Sequence, residues 1–369
     1  MVVSVPIIRA AHSERPNAST VDFRLPQYRR EVFQDFYEFH LRYRSHPGCV
    51  YYLLPYLKER YGWDDEQALW FAFINGNTQN PVTSLIMFRR GGSPHEADAL
   101  VRFWSENCAR LDFDMDRRYH KRGFHEATAS YLRLINGAQR PFWERLARDG
   151  FARMWPAALS IARFGRLSAY SYLEYLRING IDFDCDNLML ADSGSRSHRN
   201  GLCIVLGLDE YDHHQSNPSF DGRYSAEFIS ILEREGLRLL AEAKRRARGR
   251  PWEHDVSFFT LESALCTYKS WHRPDRRYPN VYNDMLHERI KRAEALWPEE
   301  DLSIFWQARR AALPAYLRLE DTPGDLGVHP DKQNHYRLTG QVIMMERDYP
   351  QYQNDYATAV ARRAEEMRA

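Results

Sequence analysis

Apolar residues recur at helical spacing along most of the chain. "YRREVFQDFYEFHLRYRSH" places Val32, Phe33, Phe36, Phe39, Leu41 and Tyr43 mostly on one face, and Pro47-Gly48 ends the run. "VYYLLPYLKERYG" and "WDDEQALWFAFING" predict two more helices. The second opens with Asp64 and Asp65, acids suited to the positive end of a helix, and closes at Gly76. "NGNTQNPVTSLIMF" reads as a polar loop from Asn75 to Asn80 leading through Pro81 into a further helix. The pattern continues through "SPHEADALVRFWSENCARLDFDMD" and "HEATASYLRLINGAQRPFWERLA". It then runs through "FARMWPAALSIARFGRLSAYSYLEYLRING", with a break at Phe164-Gly165-Arg166-Leu167. It returns in "SAEFISILEREGLRLLAEAKRRARG", "FFTLESALCTYKSW", "VYNDMLHERIKRAEALW" and "SIFWQARRAALPAYL". Strand signals are scarce, so the predicted class is mainly α.

One stretch breaks the rhythm. In "LMLADSGSRSHRNGLCIVLGLDEY" the residues from Asp192 to Gly201 are small, polar and basic, and they suit either a solvated loop or a cradle for an anion. Residues 1–27 read as an extended arm, 28–320 as one helical domain with a lobe boundary near 215–222, and 321–369 as a turn-rich tail with a terminal helix.

The 44% hydrophobic content belongs to a globular protein. Aromatics at 14%, including 22 Tyr and 9 Trp, exceed an ordinary core's needs and fit either large helical cores or a stacking surface. Net charge is only +1, so nucleic-acid binding would rest on local clusters such as Arg117–Arg122, Lys244–Arg250 and His272–Arg277. Five widely spaced cysteines without a C-x-x-C pair argue for reduced thiols and against a disulfide scaffold or zinc site. The short N-terminal apolar run and the lack of any span-length apolar stretch predict a soluble, unexported protein with no membrane partner.

Nucleotide-hydrolase, zinc-protease, serine-hydrolase and dinucleotide motifs are all missing from the sequence. Asp112-x-Asp114-x-Asp116 and Asp182-x-Asp184-x-Asp186 could hold Mg²⁺ or Ca²⁺, but capping and turn chemistry explain them as well. No residue is assigned as a metal ligand and no cofactor is required by a motif; Mg²⁺ is the candidate ion. "FGRLSAY" suggests a helix–turn–helix hairpin, with Gly165 in the turn and Ser168 three positions on, whose backbone amides could face a phosphate. Asp192 follows about two dozen residues later. This interval resembles that of helix-hairpin-helix DNA glycosylases, where such a hairpin precedes the catalytic aspartate.

More closely, the chain resembles the phage amino acid:DNA transferases, also called α-glutamyl/putrescinyl thymine pyrophosphorylases, relatives of the 5-hydroxymethyluracil DNA kinases. Phe71–Leu85, Phe164–Gly207 and Thr260–Trp271 carry the resemblance, the last as an E-x-x-L-C-x-[FY]-x-K pattern in Glu262, Leu265, Cys266, Tyr268 and Lys269. Where those relatives favour Gly-Pro-Gly-Ser, this chain has Ala191-Asp192-Ser193-Gly194-Ser195, so Asp192 is either an acid/base group or a turn cap.

The resemblance implies a glycosylase-like helical fold and a base-flipping enzyme of DNA thymine hypermodification. An amino acid or polyamine would displace pyrophosphate from activated 5-hydroxymethyluracil in double-stranded DNA, in the cytoplasm of an infected bacterial host. It assigns Asp192, Glu262, His198 and Lys269 to catalysis. Ser193, Gly194, Ser195, Arg196, Arg199, Gly165 and Ser168 would bind the pyrophosphate or phosphate, and Asn75, Asn77, Gln79 and Asn80 would fill the gap left by the flipped base. A base-excision glycosylase and a non-catalytic DNA-binding module are the competing readings.

Overall fold

The computed structural model describes residues 29–192, 194–208, 224–271, 281–314, 317–318 and 320, and among them every regular element is a helix. In chain order these are α1 (Arg29–Arg42), α2 (Val50–Tyr61), α3 (Asp65–Thr78), α4 (Pro81–Phe88), α5 (Ala97–Asn107), α6 (Arg118–Ile135) and α7 (Gln139–Arg148). There follow α8 (Phe151–Leu159), α9 (Arg166–Ile178), α10 (Arg196–Val205), α11 (Ala226–Ala247), α12 (Phe258–Trp271), α13 (Val281–Leu296) and α14 (Ser303–Ala312). The chain is mainly α, as its periodicity predicts. No helix among the described residues is long and apolar enough to cross a membrane.

Contacts divide the chain into two compact units, with breaks after His46, Cys185, Asp284 and Ala312. The expected arm at 1–27, the tail at 321–369, the boundary near 215–222 and the basic run at His272–Arg277 lie outside the described residues.

The unit that holds α2 to α9 is built around α3. Asp64 caps this helix by accepting the Gln67 amide at 2.8 Å while the Gln67 side chain accepts the Asp64 amide at 3.1 Å. Every residue from Ala68 to Thr78 is buried, as expected of a helix apolar on all sides. Phe73 stacks on Tyr131 with ring centroids 4.1 Å apart. The Tyr172 hydroxyl donates to that of Tyr131 at 2.7 Å, which donates to Gln139 at 2.8 Å. Tyr131, Tyr172, Tyr175, Trp70 and Trp143 are all fully buried, so much of the aromatic excess is core.

The segment from Asn75 to Asn80, expected as a polar loop, is instead the end of α3 and the cap of α4. Asn75, Asn77 and Thr78 form the last turn of α3, Gln79 ends it in the left-handed region (φ 49°), and Asn80 caps α4 by accepting the Val82 and Thr83 amides. Their tips look inward because α3 is enclosed: Asn77 and Asn80 donate to backbone carbonyls there, while Asn75 Nδ2 and Gln79 Oε1 find no partner among the described residues.

The other unit packs α1, α10, α11 and α12 together. Phe33 and Phe36 of α1 meet Tyr268 of α12 edge-on, each at 5.3 Å. The Asp192–Gly201 stretch is not one continuous loop: it becomes helical at Arg196, and α10 crosses α12 at Gly201. A Cβ on Gly201 would lie 2.2 Å from the Leu265 carbonyl oxygen and 2.8 Å from its carbon. Only a residue without a side chain allows that approach. Gly201→Ala is therefore expected to lower stability by about 1–3 kcal/mol or more, because backbone rather than a flexible side chain must yield. Gly92→Ala, whose nearest neighbours would be at 3.6 Å, is expected to stay within about 0.5 kcal/mol. Urea midpoints of the two variants check the contrast.

Candidate active site

The polar segment before α10 is held by the helix that follows it. Ser195, His198 and Arg199 are spaced i, i+3 and i+4, so they share one face of the helical turn. That face captures three successive carbonyls. His198 Nε2 lies 2.9 Å from Leu188 O, Ser195 Oγ donates to Met189 O at 2.6 Å, and Arg199 Nη1 donates to Leu190 O at 3.1 Å. From the other side, the Glu233 carboxylate of α11 accepts the Leu188 amide at 3.0 Å and the Leu190 amide at 2.7 Å. Met189, between them, has a φ of 55°. Arg199 is fully buried with its guanidinium 4.2 Å from the centre of the Tyr224 ring.

Asp192 is half-buried and accepts the Gly194 amide at 2.7 Å, the geometry of a turn cap. Gly194 is exposed, Arg196 and Ser197 are half-buried, and Ser193 lies outside the described residues.

Two pairs join α10 to α12. His198 Nδ1 stands 3.0 Å from Glu262 Oε1, and Lys269 Nζ donates to Ser197 Oγ at 2.9 Å. Glu262 and Lys269, too far apart along α12 to pair directly, thus engage consecutive residues of α10. Glu262 and Lys269 are buried at 8% and 7% exposure. A hydrogen bond to a backbone carbonyl fixes the His198 proton on Nε2, since the carbonyl can only accept. Cys266, one turn beyond Glu262, brings its sulfur within 4.8 Å of ligand atoms of both His198 and Glu262.

In the other unit Gly165, expected in the hairpin turn, caps α9 in extended conformation, and no atom lies within 4 Å of the place a Cβ would take. Ser168 turns inward: its hydroxyl lies 2.7 Å from His120 Nε2, while His120 Nδ1 lies 3.1 Å from Asn77 Oδ1. Asn77 Nδ2 donates to the Phe73 carbonyl at 2.9 Å, so its oxygen faces His120. The imidazole therefore donates from Nδ1 and accepts the Ser168 hydroxyl at Nε2. Burial, reinforced by the charges of Arg117 and Arg163, lowers His120 from its ordinary 6.5 to about 3 and keeps it neutral.

Asn75 Oδ1 accepts the Ser84 hydroxyl at 3.0 Å, Asn80 Nδ2 donates to Asp112 O at 2.7 Å, and Gln79 is half-buried with its carbonyl held by Arg289 at 2.8 Å. Arg117 is likewise buried, donating to Gly76 O at 3.1 Å, while Arg118 and Arg122 are exposed. The first acidic alternation is engaged in turn and ion-pair chemistry: Asp114 accepts the Asp116 amide and pairs with Arg289, and Asp112 lies 3.7 Å from Arg292.

A family model described as amino acid:DNA transferase matches residues 51–277. The chain belongs to the amino acid:DNA transferase family. Among curated proteins it is similar to a serinyltransferase of Salmonella phage ViI, 28% identical over 274 residues. That match takes in 70% of this chain and 66% of the relative, just under two thirds of the relative's own length. No solved structure matches.

The stretch matched to the transferase family takes in both segments that meet across α10 and α12. Sequence reasoning passed over three participants. Glu233 sits on an amphipathic helix like any surface acid; Ser197 is one serine among several; Cys266 belongs to the recognised E-x-x-L-C pattern but received no role. For Cys266 the usable signal was its i+4 spacing from Glu262.

The His120 network implies a pH dependence. With the folded pKa near 3 and the unfolded one near 6.5, the unfolded chain binds the extra proton between them. The stability contribution is complete above about pH 6.5 and is lost progressively as pH falls toward 3. Between pH 6.5 and 5 this histidine is expected to cost about 2 kcal/mol. Urea unfolding at pH 7 and 5 should show that loss reduced by about the same amount in His120→Gln.

Proposed function

We propose that this protein transfers the amine of an amino acid onto a pyrophosphorylated 5-hydroxymethyluracil in double-stranded DNA. The observation that carries the reading is the meeting of two distant segments, both matched to the transferase family, through the Ser197–Lys269 and His198–Glu262 pairs. The name of the phage ViI relative, a serinyltransferase, favours an amino acid over a polyamine as donor.

In this reading the amine nitrogen bonds to the exocyclic methylene as the bond from methylene carbon to pyrophosphate oxygen breaks. The electron pair leaves with pyrophosphate, and the ammonium proton goes to a carboxylate. Asp192, half-buried in the segment before α10, takes that proton. The leaving pyrophosphate meets the positive end of α10 with Arg196 and the Ser197–Lys269 pair, whose charges oppose the developing negative charge. Ser195 and Arg199, which the sequence suggested for the same task, shape the segment by holding its carbonyls. The target base is reached by flipping, since its methylene is inaccessible to a buried site while the base is stacked. Asn75, Asn77, Gln79 and Asn80 support the helix ends of their own unit rather than filling the gap themselves. The Gly165 turn contributes backbone amides to a DNA phosphate, and α8, the turn and α9 form the hairpin of a glycosylase-like ancestry.

The test is mass spectrometry of nucleosides from pyrophosphorylated 5-hydroxymethyluracil DNA incubated with the protein and a panel of amino acids and polyamines. A nucleoside heavier by one amino-acid residue, with pyrophosphate released, is expected. Abasic sites would establish base excision instead, and DNA bound without any product would leave a binding module. Lys269→Met and Arg196→Ala are expected to reduce turnover by about 10²–10³-fold while changing DNA affinity far less. Equal losses in both would mean that they hold only the DNA backbone.

A further inference from the structure

We propose that His198, Glu262 and Cys266 form a binding site for a zinc-like transition-metal ion. His198 Nδ1, a Glu262 carboxylate oxygen and Cys266 Sγ all lie within 4.8 Å of one another, with the nitrogen and oxygen 3.0 Å apart. Four-residue spacing puts Glu262 and Cys266 on one face of α12, and α10 delivers His198 opposite them. The backbone contact of Gly201 with Leu265, one turn further along both helices, sets the separation.

The orientation of the imidazole is a second, independent feature. Nε2 is committed to donating to the Leu188 carbonyl at 2.9 Å, so Nδ1 is the ring nitrogen left to face Glu262 and Cys266 as a ligand atom. Histidines that bind metals are held in this way, one nitrogen on the ion and the other donating to a carbonyl or carboxylate. Here the carbonyl is itself fixed, because its residue's amide is held by Glu233.

The donor set selects the ion. One imidazole, one carboxylate and one thiolate suit zinc or a similar transition ion; Mg²⁺ and Ca²⁺ prefer oxygen ligands throughout. A divalent ion is also balanced by one carboxylate and one thiolate, which leaves the buried cluster neutral. Among the described residues no further histidine, cysteine or acid joins the group. Cys266 is half-buried, and three protein ligands are the number found in zinc sites that take water or a substrate oxygen or nitrogen as the fourth. The inference stands apart from the transfer reading, since it concerns metal binding and not turnover.

The test uses the full chain, purified without chelator and freed of any histidine tag. After exposure to Zn²⁺ and dialysis, mass-spectrometric elemental assay is expected to find about one ion per chain. Loading with Co²⁺ should give a near-ultraviolet band from sulfur-to-cobalt charge transfer. Cys266→Ser, a near-isosteric change at a half-buried position, should abolish that band and weaken Co²⁺ binding by more than the ~10–100-fold typical of losing an outer partner of a ligand. His198→Gln should weaken it comparably, with circular dichroism reporting the fold of each variant. Folded wild-type protein that retains no metal would overturn the proposal. So would Co²⁺ bound equally by wild type and Cys266→Ser with no thiolate band. Transfer activity enters neither outcome, so failure here and failure of the transferase reading are distinguishable.

Discussion

The close backbone approach of α10 to α12 is the constraint on which the candidate site depends. With Gly201 against the Leu265 carbonyl, side chains one turn away reach across as direct partners: His198 to Glu262, and Ser197 to Lys269. A wider crossing would break both pairs at buried charged groups, where a lost partner is costly. The small residue therefore does two things at once. It allows contact, and it sets the distances at which the chemistry operates.

The same helix explains why a polar, basic segment need not be a ligand loop. A segment that turns sharply before a helix leaves its carbonyls and amides without ladder partners, and burial makes each of them expensive. Ser195, His198 and Arg199 meet three carbonyls in succession, and Glu233 meets two of the amides between them. Much of the polarity in this stretch is absorbed by its own backbone. Arg196 and Ser197, on other faces of the same turn, are half-buried.

An equivalent economy operates in the unit around α3. Asn77, His120 and Ser168 come from three helices and satisfy one another in a single directional chain, and the enclosed imidazole stays neutral. Such a network tolerates no partial occupancy, because an unpaired amide or hydroxyl at that depth costs more than the bond contributes. It ties the start of α9 to the end of α3.

Helical class and most helix positions were legible in the residue order, because amphipathic periodicity and capping residues such as Asp64 act over a few positions. The E-x-x-L-C-x-Y-x-K pattern and the order of the three segments pointed to the transferase family for the same reason: they are linear features. What remained undecided was which polar residues face inward. Asn75 to Asn80 look like a loop because asparagine and glutamine favour turns locally, yet enclosure of α3 turned them into core. Asp192, Ser195 and Arg199 look alike as candidate ligands, but hydrogen-bond demand from Gly194, Met189 and Leu190 gave each a backbone partner. Cys266 could acquire a role only once His198 was brought beside Glu262. Periodicity is local and can be read along the chain; the partner of a buried polar group is set by whichever distant backbone or side chain the packing places beside it.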